Sequence, residues 1–481
     1  MMTQKEKSKM TNYRWYICSL LFFATTINYL DRQVLSLTWK DYIAPEFHWT
    51  NVHYGNITAL FSLFYAIGLL VAGRFVDWID TKKGFLWAIG IWSVGGVLHA
   101  FCGIATSGIL AGEWFVGFEG AKEIIENTQN VSRVINVSVV FFIFARFVLA
   151  IGEAGNFPAA IKATAEFFPK KDRAFATSIF NAGATVGALA APISIPLIAS
   201  NFGWEMAFIL IGALGFVWMW FWNKMYQKPH DHPKVNQEEL DYILQDKDQI
   251  TDELIDAKGP VIPFLKTFTF KQTWAFMIGK FMTDGVWWFF LFWTPAYLSD
   301  VYGLTSDNPT AQLLLFVLYA ITLLSIYGGW LPTYFVDKKG MHPYAGRMKS
   351  MFIFALFPLL TLLAQPLGSY SYWFPIIIIG IAGAAHQAWS ANIFSTVGDM
   401  FPKTTIATIT GIGGMAGGIG SFIINKGSGT LFDFSQNTNM IFMGFEGIEA
   451  GYFIVFSVCS VTYLIGWIIM KILVPKYKPV I

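Results

Sequence analysis

Charge is what this chain of 481 residues has least of: Asp, Glu, Lys and Arg make up 13% of it, about half the share in a soluble globular protein. So few charges cannot cover a water-soluble fold of this length. They also leave no basic run with interleaved aromatics, which excludes a nucleic-acid partner of the usual kinds. Cysteine is scarce too. Cys18, Cys102 and Cys459 lie in apolar runs without CxxC spacing, so they suit packing rather than disulfides or a metal. No HExxH or GxSxG string marks an embedded enzyme, and no Cys/His cluster marks a metal site. What the chain has instead is apolar: 55% hydrophobic residues, 17% aromatic, and a mean hydropathy of +0.50. These proportions predict a polytopic membrane protein whose first partner is the lipid bilayer.

Stretches able to cross roughly 30 Å of hydrocarbon fall at about 14–36, 54–76, 84–105, 138–160, 174–199 and 204–223. Six more follow at about 274–298, 311–335, 350–366, 371–395, 406–432 and 449–472, the ninth being short. Twelve transmembrane helices predict an all-α membrane protein of two six-helix bundles, 1–223 and 273–481. The linker 224–272 contains HDHPKVNQEELDYILQDKDQITDELIDAKG; it is too polar to insert and suits a short amphipathic helix on a membrane surface. The basic N-terminus, MMTQKEKSKMTNYRW, leads into the first span without a signal-peptide cleavage pattern, so that helix is expected to be retained. With both termini cytoplasmic, inside segments hold 26 of the 33 Lys and Arg and outside segments four, Lys40, Lys122, Arg133 and Lys426. That asymmetry fixes the orientation.

Seven charged residues interrupt this apolar background. Asp31 and Arg32 sit in TTINYLDRQ, Arg146 and Glu153 in ARFVLAIGEAGNFP, Lys280 and Asp284 in GKFMTDGVWWFF, and Glu166 near a span end in AEFF. A charge at the bilayer centre costs roughly 2.5–3.5 kcal/mol on insertion scales, so such residues point to function. Arg146 and Glu153 are seven apart, which puts them on nearly one helix face. A carboxyl caught between desolvation and a neighbouring cation can load and release a proton. Asp31 and Arg32 offer a second acid and cation on different faces, and Tyr29 shares the face of Arg32. Fixed ion pairs between helices are the plainer alternative, and Lys280 with Asp284, one turn apart, can simply neutralise each other.

The two halves echo one another. GRFVDWIDTKKG (73–84) follows span 2, and PTYFVDKKGM (332–341) follows span 8, the organisation expected of a duplicated six-span unit. Gly73, Asp77, Lys82 and Lys83 in the first turn and Asp337 in the second suit a cytoplasmic gate that holds one conformation and breaks in another. The first turn resembles the signature loop of the major facilitator superfamily, with Asp80 standing where that pattern usually has another residue type. Gly183/Gly187 in span 5, and Gly413/Gly417 with Gly414/Gly418 in span 11, are small-residue seams that permit close helix approach.

INYLDRQVLS, GEAGNFPAAIKATAEFFPKKDRAFATSIFNAGATVGALAAP, GKFMTDGVWWFFLFWTPAYL and AAHQAWSANIFSTVGDMFP together resemble the hexuronate transporters. These form part of the anion:cation symporter family within the major facilitator superfamily. The resemblance covers both halves. It implies proton-coupled import of galacturonate and glucuronate across a bacterial inner membrane, with protons as the coupling ion, no bound cofactor, and sodium coupling left open. Carried over by position, Asp31 and Glu153 are the proton-coupling acids, Arg146 modulates Glu153, and Arg32 holds the substrate carboxylate with its bidentate fork. Sugar contacts are expected from Tyr29, Tyr65, Asn181, His386, Gln387, Trp389 and Asn392. Ala184 stands where relatives for other sugar acids carry glutamine. Trp287 and Trp288 can stack on ring C–H groups or face lipid, and His386 can equally bond between helices.

One segment departs from the family pattern. Residues 106–137 form an insertion outside the membrane, acidic and partly amphipathic, suited to an interfacial helix, a cap over the vestibule or a partner contact. A monomer is expected. Alternatives are the same machine carrying galactonate or glucarate and, more distantly, a sensor that binds a sugar acid without moving it, although no signalling domain accompanies 224–272.

Overall fold

Away from water every backbone N–H and C=O must find a partner within its own segment, which leaves an apolar chain little choice but helix. The computed structural model describes residues 10–245 and 262–480. In the first half these form α1 (Arg14–Thr38), α2 (Asn51–Ile79), α3 (Thr81–Ala100), α4 (Val131–Glu153), α5 (Asn156–Phe167), α6 (Lys170–Phe202) and α7 (Trp204–Met225). In the second they form α8 (Lys271–Tyr302), α9 (Pro309–Thr322), α10 (Tyr327–Lys339), α11 (Pro343–Leu356), α12 (Trp373–Met400), α13 (Lys403–Asn437) and α14 (Ile448–Leu473).

Helix therefore covers each of the twelve expected ranges. Among the described residues, length and apolarity alone qualify eight helical stretches to cross a membrane, or nine if α3 and Cys102–Ala111, bent by 53°, count as one. Helices α1, α8 and α13 are long enough but more polar; α1 carries Asp31 and Arg32, and α8 carries Lys280 and Asp284. The ninth expected span is longer than it looked: α11 continues through a 3-10 stretch, Phe357–Leu363, and a short helix, Ala364–Gly368. Pro358 sits in that stretch and cannot donate to an α-helical ladder.

Glycine decides which helices touch. A side chain at Gly152 of α4 would run into the backbone of Trp92 on α3, and one at Gly95 of α3 into Leu149. The pair locks α3 to α4 just before Glu153. In α13, Gly413 and Gly417 face Phe276 and Asp284 of α8, while Gly414 and Gly418 face Leu69 and Ala66 of α2. Two offset small-residue rows thus let one helix pack on two neighbours, one from each half of the chain.

In the linker, the expected amphipathic helix forms at Gln237–Leu244, capped by Asn236. Its Glu239 is fully buried and accepts from the backbone N–H groups of Tyr13 and Arg14 at 2.7 and 3.0 Å. A carboxylate at the start of α1 complements the helix dipole and ties the linker to the first span. Linker residues 246–261 lie outside the described residues. In the 106–137 insertion, Gly117–Glu126 is helical and buries Ala121 and Ile125. A two-stranded hairpin, Ile441–Phe442 with Phe445–Glu446, lies before α14.

Candidate functional site

Two cations and two acids from α1 and α4 meet inside the first half. Arg32 donates to Glu153 Oε2 through Nε at 3.0 Å and through Nη2 at 2.6 Å, and neither side chain is more than 6% exposed. Helix α4 ends at Glu153 and resumes as α5 at Asn156; with Gly152 pressed on α3, the acid projects away from that contact towards α1. The Arg32 guanidinium also faces four rings: Tyr65 at 4.8 Å, Trp288 at 5.0 Å, Tyr29 at 5.3 Å and Phe61 at 6.0 Å. Cation–π attraction in a desolvated setting strengthens such a cage. Trp288 comes from α8, so the second half closes the box around a cation of the first.

Asp31 points elsewhere. Both its oxygens are buried without a hydrogen-bond partner among the described residues, and Oδ1 lies against Gly96 of α3. Arg146 is 2% exposed, sits 5.1 Å from the Phe61 ring, and leaves Nε and Nη1 without partners among the described residues. Glu153 is therefore bonded to Arg32, not to the Arg146 that shares its helix face. That pairing joins residues 121 positions apart, and helix periodicity has no means of reporting it.

A second buried pair lies on α8, where Lys280 Nζ sits 2.8 Å from Asp284 Oδ2. His386 stacks on Trp287 with centroids 5.5 Å apart, and its Nδ1 lies 2.8 Å from the Tyr463 hydroxyl. Asn392 donates to the carbonyls of Gly328 and Ala388, both at 2.8 Å, and Trp389 is fully buried against Tyr463. Of the expected sugar contacts, Tyr29 and Tyr65 thus gather with Trp288 at Arg32. His386, Trp389 and Asn392 serve contacts within the second half, Gln387 is half-buried and Asn181 is exposed on α6.

At the end of the molecule far from the chain termini, bonds join the two halves. Lys40 pairs with Asp300 at 2.5 Å, and Asp41 accepts from the Ser299 hydroxyl and the Ser306 N–H, both at 2.8 Å. Asp433 of α13 caps α2 by accepting from the N–H groups of Asn51 and Val52 at 2.9 and 2.8 Å. Deeper in, Ser62 and Ser421 hydroxyls meet at 2.9 Å. None of the outer acids was singled out in the sequence, although Lys40 and Asp41 beside the first span are a visible signal. Glu46 is also buried there, with Trp204 Nε1 donating to it at 2.8 Å. Burial pushes its carboxyl up to about 7, against the pull of the Trp204 bond; Glu205 and Glu126 raise it further and Lys122 lowers it.

At the other end, Gly73 and Asp77 of the expected gate lie outside the residues whose side chains are described. Lys82 is half-buried, and its carbonyl accepts from Trp222 Nε1 at 3.3 Å. Lys83 and Asp337 are exposed. Asp80 caps α3, its carboxylate accepting from the Thr81 N–H at 2.8 Å, with backbone φ of 90°. Glu166 is no bystander: it accepts from the Thr81 hydroxyl at 2.6 Å and from Tyr226. In the second half Asp399 pairs with Arg347. The strings EFFPK (166–170) and DMFPK (399–403) are the sequence signal for these two anchors.

Membrane-length helices from two chain halves, meeting at a sealed ion pair, make the architecture of a secondary transporter. The chain belongs to the Major Facilitator Superfamily, whose family model matches residues 21–424. It is 28% identical to the hexuronate transporter of Escherichia coli (strain K12) over 88% of this chain and 89% of the relative. To the galacturonate transporter of Dickeya chrysanthemi it is 27% identical, over 68% and 84%. To the E. coli (strain K12) protein named "Probable galactarate/D-glucarate transporter GarP" it is 25% identical, over 93% and 95%. Among solved structures, a D-xylose-proton symporter superposes with a TM-score of 0.69 at 16% identity, covering 95% of this chain and 98% of that one. A bacterial homolog of the human lysosomal transporter Spinster gives 0.67 at 18%, covering 97% of each. These structural likenesses concern the fold.

Proposed function

We propose that this chain is a proton-coupled symporter that imports hexuronates, galacturonate and glucuronate, across a bacterial inner membrane by alternating access. In this reading the twelve helical ranges are twelve spans in two six-helix bundles, 1–223 and 273–481. The cytoplasmic linker 224–272 joins them, both termini face the cytoplasm, and the bonded far end is periplasmic. The Lys and Arg distribution supports the orientation, and the relatives named for hexuronate and galacturonate support the cargo.

The observation that carries the mechanism is the fork of Arg32 on Glu153. A guanidinium at that depth needs a carboxylate partner, and Glu153 and a substrate carboxylate compete for the same donors. A proton on Glu153 removes its charge, releases the fork and lets the sugar acid bind, with Tyr29, Tyr65 and Trp288 as the apolar platform. Loss of the proton restores the Arg32–Glu153 bond and expels the anion. Binding of proton and substrate is thereby reciprocal. Asp31, buried without a donor among the described residues, is the second proton site, and Arg146 sets the field in which both acids titrate.

The substrate is tested by uptake of labelled galacturonate into proteoliposomes against a panel of unlabelled sugar acids. Galacturonate and glucuronate are expected to compete best. Competition by galactonate or glucarate alone would replace the hexuronate reading with its neighbour, the same machine for a different sugar acid.

A further inference from the structure

The mechanism above leaves the buried Lys280–Asp284 pair unused. Both residues lie on α8, with Asp284 Oδ1 buried and unpartnered among the described residues. Lys280, Asp284 and Trp288 follow at four-residue intervals and so share one face of the helix, and from that face Trp288 already reaches Arg32. Lys280 lies about 12 Å along the axis from Trp288, a separation that two long cationic side chains reach across from either end. The ammonium rests 4.3 Å from the Phe394 ring of α12. Two titratable groups feel the charges of the pair, His386 of α12, which is held by Trp287 and Tyr463, and Tyr463 of α14. Gly417 of α13 faces the Asp284 carboxylate and leaves it its room.

We propose that Lys280 is a second anion-binding residue, which takes the second carboxylate of a six-carbon sugar diacid while Arg32 takes the first. The proposal rests on the reading of Arg32 as the substrate-carboxylate residue. Asp284 neutralises Lys280 as Glu153 neutralises Arg32, and a substrate carboxylate replaces each in turn. A charge left alone at that depth is costly, so Asp284 takes up a proton when Lys280 changes partner. A diacid thus enters with one proton more than a monoacid, whereas a monoacid leaves the Lys280–Asp284 bond in place.

The test is equilibrium binding of labelled galacturonate and labelled galactarate to the purified full chain at pH 6 and pH 8. Wild type is expected to bind both, with the diacid more strongly pH-dependent. Lys280→Met is expected to weaken galactarate binding about tenfold or more, the scale of one lost charged hydrogen bond, and to leave galacturonate within about twofold. Retained galacturonate binding shows that the variant is folded, and Lys280→Arg is expected to restore the diacid. Asp284→Asn is expected to flatten the extra pH dependence of galactarate. Galacturonate binding without galactarate binding in wild type, or an equal loss of both in Lys280→Met, overturns the second station and leaves the proposed function standing. Galactarate binding that depends on Lys280, with no galacturonate binding, does the reverse.

Discussion

Arg32 offers one planar fork, and Glu153 occupies it with two hydrogen bonds to a single oxygen. A lysine at that position keeps the charge but presents a compact ammonium with no matched pair of donors. Arg32→Lys is expected to raise the Kd for galacturonate about tenfold or more, measured by isothermal titration on purified protein; an unchanged Kd would move the carboxylate site elsewhere. Glu46 makes a different test, outside the expected spans. Its carboxyl is raised to about 7 by burial, so the fold is penalised as pH climbs from the usual carboxylate range through 7, by roughly 3 kcal/mol at the top. Glu46→Gln is expected to be more stable than wild type at pH 8, with the gap closing towards pH 5, read as Tm across that range. A constant gap would contradict it. At this scale the sequence displayed which residues matter, because an interior charge is costly wherever it sits. It did not display who binds whom: Arg146 and Glu153 look paired on one helix, while the bond actually formed runs between helices.

Among elements, the break after Glu153 and the turn after α2 are the informative ones. The string GEAG reads as small residues around an acid; the structure adds that Gly152 presses on α3 and so aims Glu153 at α1. Asp80 occupies φ 90° and ψ 150°, a region that residues with a side chain rarely enter and that costs about 1–3 kcal/mol. The departure from the signature loop noted at this position is therefore a strained one. Asp80→Gly is expected to stabilise the protein by about 1–2 kcal/mol, since glycine loses only a few tenths as an N-cap. Tm of the purified variant checks it, and a lower Tm would mean that the Asp80 carboxylate matters more than its backbone. Helix existence was legible throughout from apolar runs. The 53° bend at Phe101, the 3-10 stretch at Pro358 and the 441–446 hairpin were not, because they depend on packing or on a few turn residues.

For the whole molecule, the bonds between halves among the described residues are richest at the far end, where Lys40–Asp300, Asp41 and Asp433 hold the segment after α1 together with α2, α8 and α13. The echo between the two basic turns was visible in the sequence, but the cross-half seam was not. The glycine rows of α13 show that a helix will approach something, and only the fold says that α2 and α8 are the two partners. Trp288 lies over Arg32, so the site is shared between the halves, an arrangement that suits the proposed alternating access. The coupling proposal reduces to whether Glu153 and the substrate use Arg32 in turn. Glu153→Gln in proteoliposomes measures this most directly, by comparing galacturonate counterflow at equal pH with accumulation under an imposed pH gradient. Counterflow is expected to persist, because the fork stays available, while gradient-driven accumulation is lost. Accumulation at the wild-type level would contradict alternate use of Arg32.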